Sequence, residues 1–216
     1  NNHVKVELHE RICEKLPWRI TDVSEVVFPV RAQSGLNAYP SKASLMTHLL
    51  LHAAGSMSGQ ALRLMHLHDL AQVSLRMNDA DWEEVLTQRA AGSGPGHASG
   101  RVLWWAFPPL ELTSRYYPLA IPARVLATLA DKCPSFLHRV TARKTLYEVS
   151  YSYLWVDAFP GMEWSQSWRE VLEYATNRVH PGAKHAALRE FTARTQSWAR
   201  HSPWSRYSQG RRILRW

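Results

Sequence analysis

The sequence predicts an α+β protein, a small β remnant at the N-terminus made of a strand plus a hairpin, followed by a mostly α-helical body. Two observations carry this. Residues 4–12, Val-Lys-Val-Glu-Leu-His-Glu-Arg-Ile, alternate apolar and polar side chains, the period-2 pattern of a half-buried strand. From Pro40 onward the apolar residues recur at helical spacing instead.

In chain order, Val4, Val6 and Leu8 give the first strand its buried face and Lys5, Glu7 and His9 its polar one. A carboxylate on such a face suits a hard cation such as magnesium, which takes one or two oxygens from protein; a solvated strand face explains the same pattern. Segments 26–32 and 36–39 predict a hairpin around Ser34-Gly35, with Pro29 confining its arm to an edge. Ser41 is the expected N-cap of a helix in which Leu45, Leu49 and His52 share a face. A break is expected at Gly55–Gly59, then a second helix over Ala61–Met77 and a third capped by Asp79. The glycine-rich stretch 91–100 is the expected linker, so that domains span 1–92 and 101–216. Beyond it, Arg101–Phe107 predicts a helix stopped by Pro108-Pro109. Pro122 suits the first turn of the next, which runs to about Lys132. Further helices are expected over 135–155, 161–177 and 182–198.

Composition narrows the classes. The 216 residues suffice for one large domain or two small ones. No apolar run approaches the roughly 20 residues of a membrane helix, no secretory signal is visible, and Cys13 and Cys133 are too few and too distant for a disulfide scaffold or metal motif. The expected setting is cytoplasmic, without a membrane partner. The chain starts at Asn1 without Met and enters a strand almost at once, which predicts a fragment of a longer protein. Ten Trp and eight Tyr predict some aromatic surface in interfaces or grooves.

Histidine is the residue type with chemical promise. His48 and His52 stand four apart, and His66, His68 and Asp69 follow on the next helix. His68-Asp69 resembles the paired His-Asp of the HD phosphohydrolases, with His48 or His52 upstream and Asp79 or Asp81 downstream as further metal ligands. The bland alternative is packing, with His52 donating to Asp69.

Taken in order, Glu-Leu-His-Glu-Arg-Ile at 7–12, Leu-Met-Thr-His-Leu-Leu-Leu-His-Ala-Ala at 45–54, Leu-Arg-Leu-Met-His-Leu-His-Asp-Leu-Ala at 62–71 and Asp-Trp at 81–82 resemble the uncharacterised nucleotidyltransferase family of the polymerase-beta-like superfamily. The resemblance covers about residues 4–90. It implies Glu7 as a catalytic, metal-facing acid, with His9, His52, Arg63 and Asp69 lining or supporting the nucleotide pocket. It also implies a nucleoside triphosphate and magnesium as substrate and cofactor. The chain departs from the family in lacking the Gly-rich turn and paired Asp-x-Asp ahead of that strand; its only Asp-x-Asp, Asp79-Ala80-Asp81, lies on the wrong side of the match. The implied entity is the C-terminal portion of such an enzyme, inactive alone. Arg63 is expected to be buried against Asp69 or Glu7.

Charge supplies the competing reading. The net charge is +8, and after Glu173 the only acid is Glu190, among nine Arg and Lys interleaved with Trp198, Trp204, Tyr207 and Trp216. Such a composition suits a basic helical binding module for nucleic acid or an acidic protein, or a solvated tail.

Overall fold

A computed structural model describes residues 10–16, 19–28, 39–88, 103–150 and 159–180. Among them the architecture is α+β, with one two-stranded antiparallel sheet at the N-terminal end and a mostly helical body. The chain divides into two compact units, 1–164 and 165–216.

The sheet pairs β1 (Cys13–Leu16) with β2 (Arg19–Asp22), Leu16 opposite Arg19 and Cys13 opposite Asp22. Along β1 the inward set is Ile12, Glu14 and Leu16: the two apolar residues are buried, and Glu14, between them, is carried to the same face by the two-residue period. This hairpin replaces part of the expected β remnant. Residues 10–12 are not strand, and 4–9, with Glu7 and His9, lie outside the described residues.

Val26 and Val27, expected in a strand, instead belong to a single helical turn, α1 (Ser24–Val27), with Phe28 as its C-cap. The carboxylate of Asp22 accepts the Ser24 amide at 2.8 Å and its hydroxyl at 2.5 Å, and those bonds hold the Asp22 carboxyl below the usual carboxylate range. Val23 and Val27, four apart, are both buried. The expected turn at Ser34-Gly35 lies outside the described residues.

Helix α2 (Lys42–Ser58) begins at Ser41, whose hydroxyl accepts the Ser44 amide. It does not break at Gly55 as expected but runs on to Ser58, with Gly59 as its C-cap. A β-carbon at Gly55 would lie 2.5 Å from the Glu14 carboxylate, so the glycine makes room for β1 rather than ending the helix. Nor is the buried face that of Leu45, Leu49 and His52: Ala43, Met46, Leu50, Leu51, Ala53, Ala54 and Met57 are buried, while His52 is exposed.

Helices α3 (Leu64–Ser74) and α4 (Asp79–Thr87) pack on α2. The cap of α4 is Asn78, not Asp79; its side chain accepts the Asp81 amide at 2.9 Å while Asp81 accepts the Asn78 amide at 2.8 Å. The expected linker lies outside the described residues. Past it, Pro108-Pro109 start a helix instead of stopping one. A 3-10 turn at Trp104–Ala106 feeds α5 (Phe107–Tyr116), whose first turn contains both prolines. A first turn has no intrahelical partner for those amides, so proline is tolerated there. Pro122, expected in the first turn, stands one residue earlier at the N-cap of α6 (Ala123–Lys132), which ends at Lys132 as expected. The long helix expected from Ser135 is only α7 (Ser135–Thr141), followed by turns in which Glu148 accepts the Thr145 amide at 2.8 Å. Lys144 pairs there with the buried Glu163. Trp82, Trp105 and Trp164 are core residues, a use of tryptophan that composition did not indicate. In the second unit, α8 (Trp168–Val179) starts at Ser167, which accepts the Glu170 amide; the helix expected over 182–198 lies outside the described residues.

The two glycines at α2 should behave differently. Gly161 has φ +82°, and a β-carbon there would meet the Ser58 carbonyl oxygen at 2.4 Å, backbone that cannot swing aside. Gly161→Ala should therefore lower stability by about 2 kcal/mol or more, from strain plus overlap. Gly55→Ala overlaps the Glu14 side chain from Cγ outward, side-chain atoms that can rotate aside, and gains helix propensity, so its net effect should stay within about 1 kcal/mol. Urea denaturation of both variants checks the contrast. Burial pushes the Cys133 thiol up to about 12, so it should resist a disulfide reagent that modifies exposed Cys13 in the native protein.

Candidate functional site

The inward face of β1, the C-terminal half of α2 and the start of α3 come together at His52 and, beside it, His66. The His66 ring reaches back to the start of its own helix, where Nδ1 accepts the Arg63 amide at 3.1 Å. That bond leaves the proton of the neutral ring on Nε2. His52 of α2 meets His66 edge to face, the ring centroids 5.1 Å apart. On its other side, His52 Nδ1 lies 3.4 Å from Glu14 Oε1, a contact that becomes an ion pair when the imidazole is protonated. Gly55, one turn beyond His52, is what lets the Glu14 carboxylate come so close.

Burial chiefly lowers the His66 pKa below 6.5, and the charges of His52 and Arg63 push the same way; Asp69, three residues on, opposes them. His66 is thus neutral at neutral pH, with a carboxylate near enough to steady its protonated form. The cluster combines two imidazoles able to take or give protons, two carboxylates and one guanidinium.

Beside it lies an open groove of about 470 Å³, lined by Leu62, Arg63, Leu64, Tyr116, Leu146, Tyr147 and Ser150. The Leu62 amide bonds the Val149 carbonyl at 3.0 Å, and the Tyr116 hydroxyl accepts the Leu146 amide at 3.3 Å, which ties the two walls together.

Of the residues singled out from the sequence, His52, Arg63 and Asp69 fall around this one cluster; Glu7 and His9 lie outside the described residues. Two expectations need correction. Arg63 is exposed rather than buried, because it occupies the N-cap position of α3 and not an inward helical position. His52 contacts Glu14 and His66 rather than Asp69. Glu14 and His66 went unassigned in the sequence reading. The signal for Glu14 was a lone carboxylate between inward Ile12 and Leu16; that for His66 was its place three residues from both Arg63 and Asp69.

The remaining histidines and aspartates of the phosphohydrolase pattern point to other neighbours. His48 Nδ1 bonds the Tyr39 hydroxyl at 2.6 Å, and His68 lies against Tyr117. Asp79 pairs with Arg124 at 2.5 Å and Asp81 with Lys42 at 3.1 Å. Among the described residues no three His, Cys, Asp or Glu side chains form a group that could hold a metal ion. None of their helices is long and apolar enough to cross a membrane. No protein-family model matches the chain, and no curated protein or solved structure matches it either.

The His66 shift has a definite sign in stability. Unfolded, the imidazole titrates near 6.5; folded, it titrates lower. Between those values the unfolded chain holds more protons, so this contribution is complete above about 6.5 and is lost as pH falls through the folded value. The His66 ring should show an NMR titration midpoint below 6.5. His66→Gln should lose less stability than the parent between pH 7.5 and 5.5, since it removes the group that takes up the proton.

Proposed function

We propose that the chain is the substrate-side, mostly helical portion of a nucleotidyltransferase, dependent on a nucleoside triphosphate and magnesium when the paired carboxylates are supplied from sequence outside these 216 residues. The observation that carries this reading is the contact of His52 with His66, with Arg63 and Asp69 on either side of His66 along α3, beside an open surface groove. Those three residues are among the ones that the family resemblance implies for the pocket. Arg63, His66 and Asp69 stand three apart along α3 and are neighbours by helix geometry; what packing adds is His52 of α2 against His66.

Within this reading His66 and His52 are proton-handling groups, Asp69 steadies the imidazole pair, and Arg63 meets an anionic group of a substrate through its planar fork. Glu14 holds His52 from the other side. The described residues do not fit a magnesium site: the carboxylates of the cluster, Glu14 and Asp69, accompany imidazoles, and no three ligating groups converge. No step is therefore assigned to the metal here, and Glu7 keeps its place as the proposed metal-facing acid.

The basic, aromatic C-terminal region supports a second role, contact with nucleic acid or an acidic partner, on its composition.

The test is label transfer from α-labelled nucleoside triphosphates with magnesium. The 216-residue chain should be inactive, and a longer polypeptide carrying a Gly-turn Asp-x-Asp segment ahead of Asn1 should be active. In that polypeptide His52→Ala and Asp69→Asn should each lower kcat/KM at least tenfold, about 1.4 kcal/mol of transition-state stabilisation. Robust turnover by the 216-residue chain, or an active long form indifferent to both substitutions, defeats the reading.

A further inference from the structure

We infer that α8 docks on the surface of an anionic lipid bilayer, with Trp168, Leu172 and Val179 entering the headgroup boundary. The inference concerns the second unit alone and stands apart from the nucleotidyltransferase reading.

Helix geometry makes the contact surface. Residues 168, 172, 175 and 179 follow one another at steps of four, three and four, so Trp168, Leu172, Ala175 and Val179 form one stripe along α8. Three of them are large and open to solvent: Trp168 is 83% exposed, Leu172 66% and Val179 42%. Elsewhere the helix is covered. Glu170 is buried, its carboxylate accepting the Gln166 amide at 2.7 Å, and Val171 and Tyr174 are half-buried. The helix is therefore held on one side and bare on another, and the bare side is apolar. Exposed Arg169 and Thr176 border the stripe, while Glu173 lies farther round the helix.

Charge names the partner. Residues 165–216 hold ten Arg and Lys against three Asp and Glu, which is +7 of the chain's net +8. Such a unit is drawn to the negative surface of anionic lipids, each basic residue near it adding to the affinity. Nucleic acid and an acidic protein offer the same charge, and the stripe decides among the three. Leu172 and Val179 have no ring to stack on a base and no donor for a phosphate, so a nucleic acid leaves them bare. A protein groove that takes an amphipathic helix covers the apolar face and both its flanks. One flank of α8, at Val171 and Tyr174, is already half-buried. A bilayer meets a helix from one side, takes aliphatic side chains at its acyl boundary and holds tryptophan at headgroup level. Arg169, beside the stripe, can lay its stem along that boundary and keep its guanidinium among the headgroups. The expectation of no membrane partner rests on the lack of a crossing segment, which this mode does not need; no helix among the described residues is long and apolar enough to cross.

The test is flotation of the full 216-residue chain with phosphatidylcholine vesicles that contain or lack phosphatidylserine. Binding is expected on the anionic vesicles, at least tenfold weaker on the neutral ones, and weakened by added salt. Trp168→Gln and Leu172→Gln leave the charge unchanged and should each weaken it at least fivefold. Both positions are exposed, and an unchanged circular dichroism spectrum shows that each variant is folded. A single-stranded oligonucleotide supplies the comparison, and its binding, if any, should be indifferent to both substitutions. No flotation with anionic vesicles overturns the proposal, as does equal binding to neutral ones. Binding unchanged in both variants overturns it in favour of plain charge attraction. Oligonucleotide binding that is tighter than vesicle binding and is lost in the same variants overturns it in favour of nucleic acid.

Discussion

Close packing around α2 is the constraint on which the rest of the first unit depends. This one helix touches β1, α1, α3, α4 and α5, so most of its circumference is interior. A helix approached from so many sides needs small residues where backbones come near, and α2 supplies Ala43, Ala53, Ala54 and Gly55. Larger residues, Met46, Leu50, Leu51 and Met57, fill the wider gaps and are fully or nearly fully buried. Polar ties then fix the register of neighbours. Thr47 donates to the Gln88 side chain at 2.5 Å, and Lys42 reaches both the Arg76 carbonyl and Asp81. The candidate site is what this packing leaves at the exposed margin of the helix, where His52 emerges between the hairpin and α3.

Local chemistry was legible wherever it acted alone. Ser41 ahead of an apolar run and Pro122 ahead of another each mark a helix start, because capping and the fixed proline φ need no tertiary partner. The general α+β character was legible for the same reason, as a change of period along the chain. Misreadings arose where tertiary context decides. Gly55 reads as a breaker until β1 is seen pressed against it. Pro108-Pro109 read as a stop until the preceding 3-10 turn shows that they occupy a first turn. Between β1 and β2 the sequence reads Pro17-Trp18, which lacks the Asn-Gly or Asp-Gly signal by which short hairpins are recognised.

The site was half legible. The family resemblance picked out His52, Arg63 and Asp69, and Arg63 and Asp69 fall near His66 because residues three or four apart share a helical face. What no spacing rule supplies is which strand approaches that face. Glu14 entered through the hairpin, and its period-2 placement became meaningful only once Ile12 and Leu16 were known to be buried. The burial expected of Arg63 failed on a finer point: residue 63 is the cap of α3, with extended backbone, so its side chain leaves the helix surface instead of packing beneath it.

The cluster is also where the fold gives up stability it had within reach. Alanine at position 55 would favour α2 by up to about 1 kcal/mol over glycine, and an apolar residue at 66 would bury more cheaply than an imidazole whose charged form is disfavoured there. Two histidines in edge contact also repel when both are protonated. Each of these choices lies around the same few ångströms, while the surrounding core, with Leu50, Leu67 and Leu70 fully buried, follows ordinary packing. A chain selected for packing alone has no reason to gather its exceptions in one place. Their concentration beside an open groove and an exposed guanidinium is the pattern expected where local stability is given up for chemistry, and it is the physical ground for seeking substrate binding there.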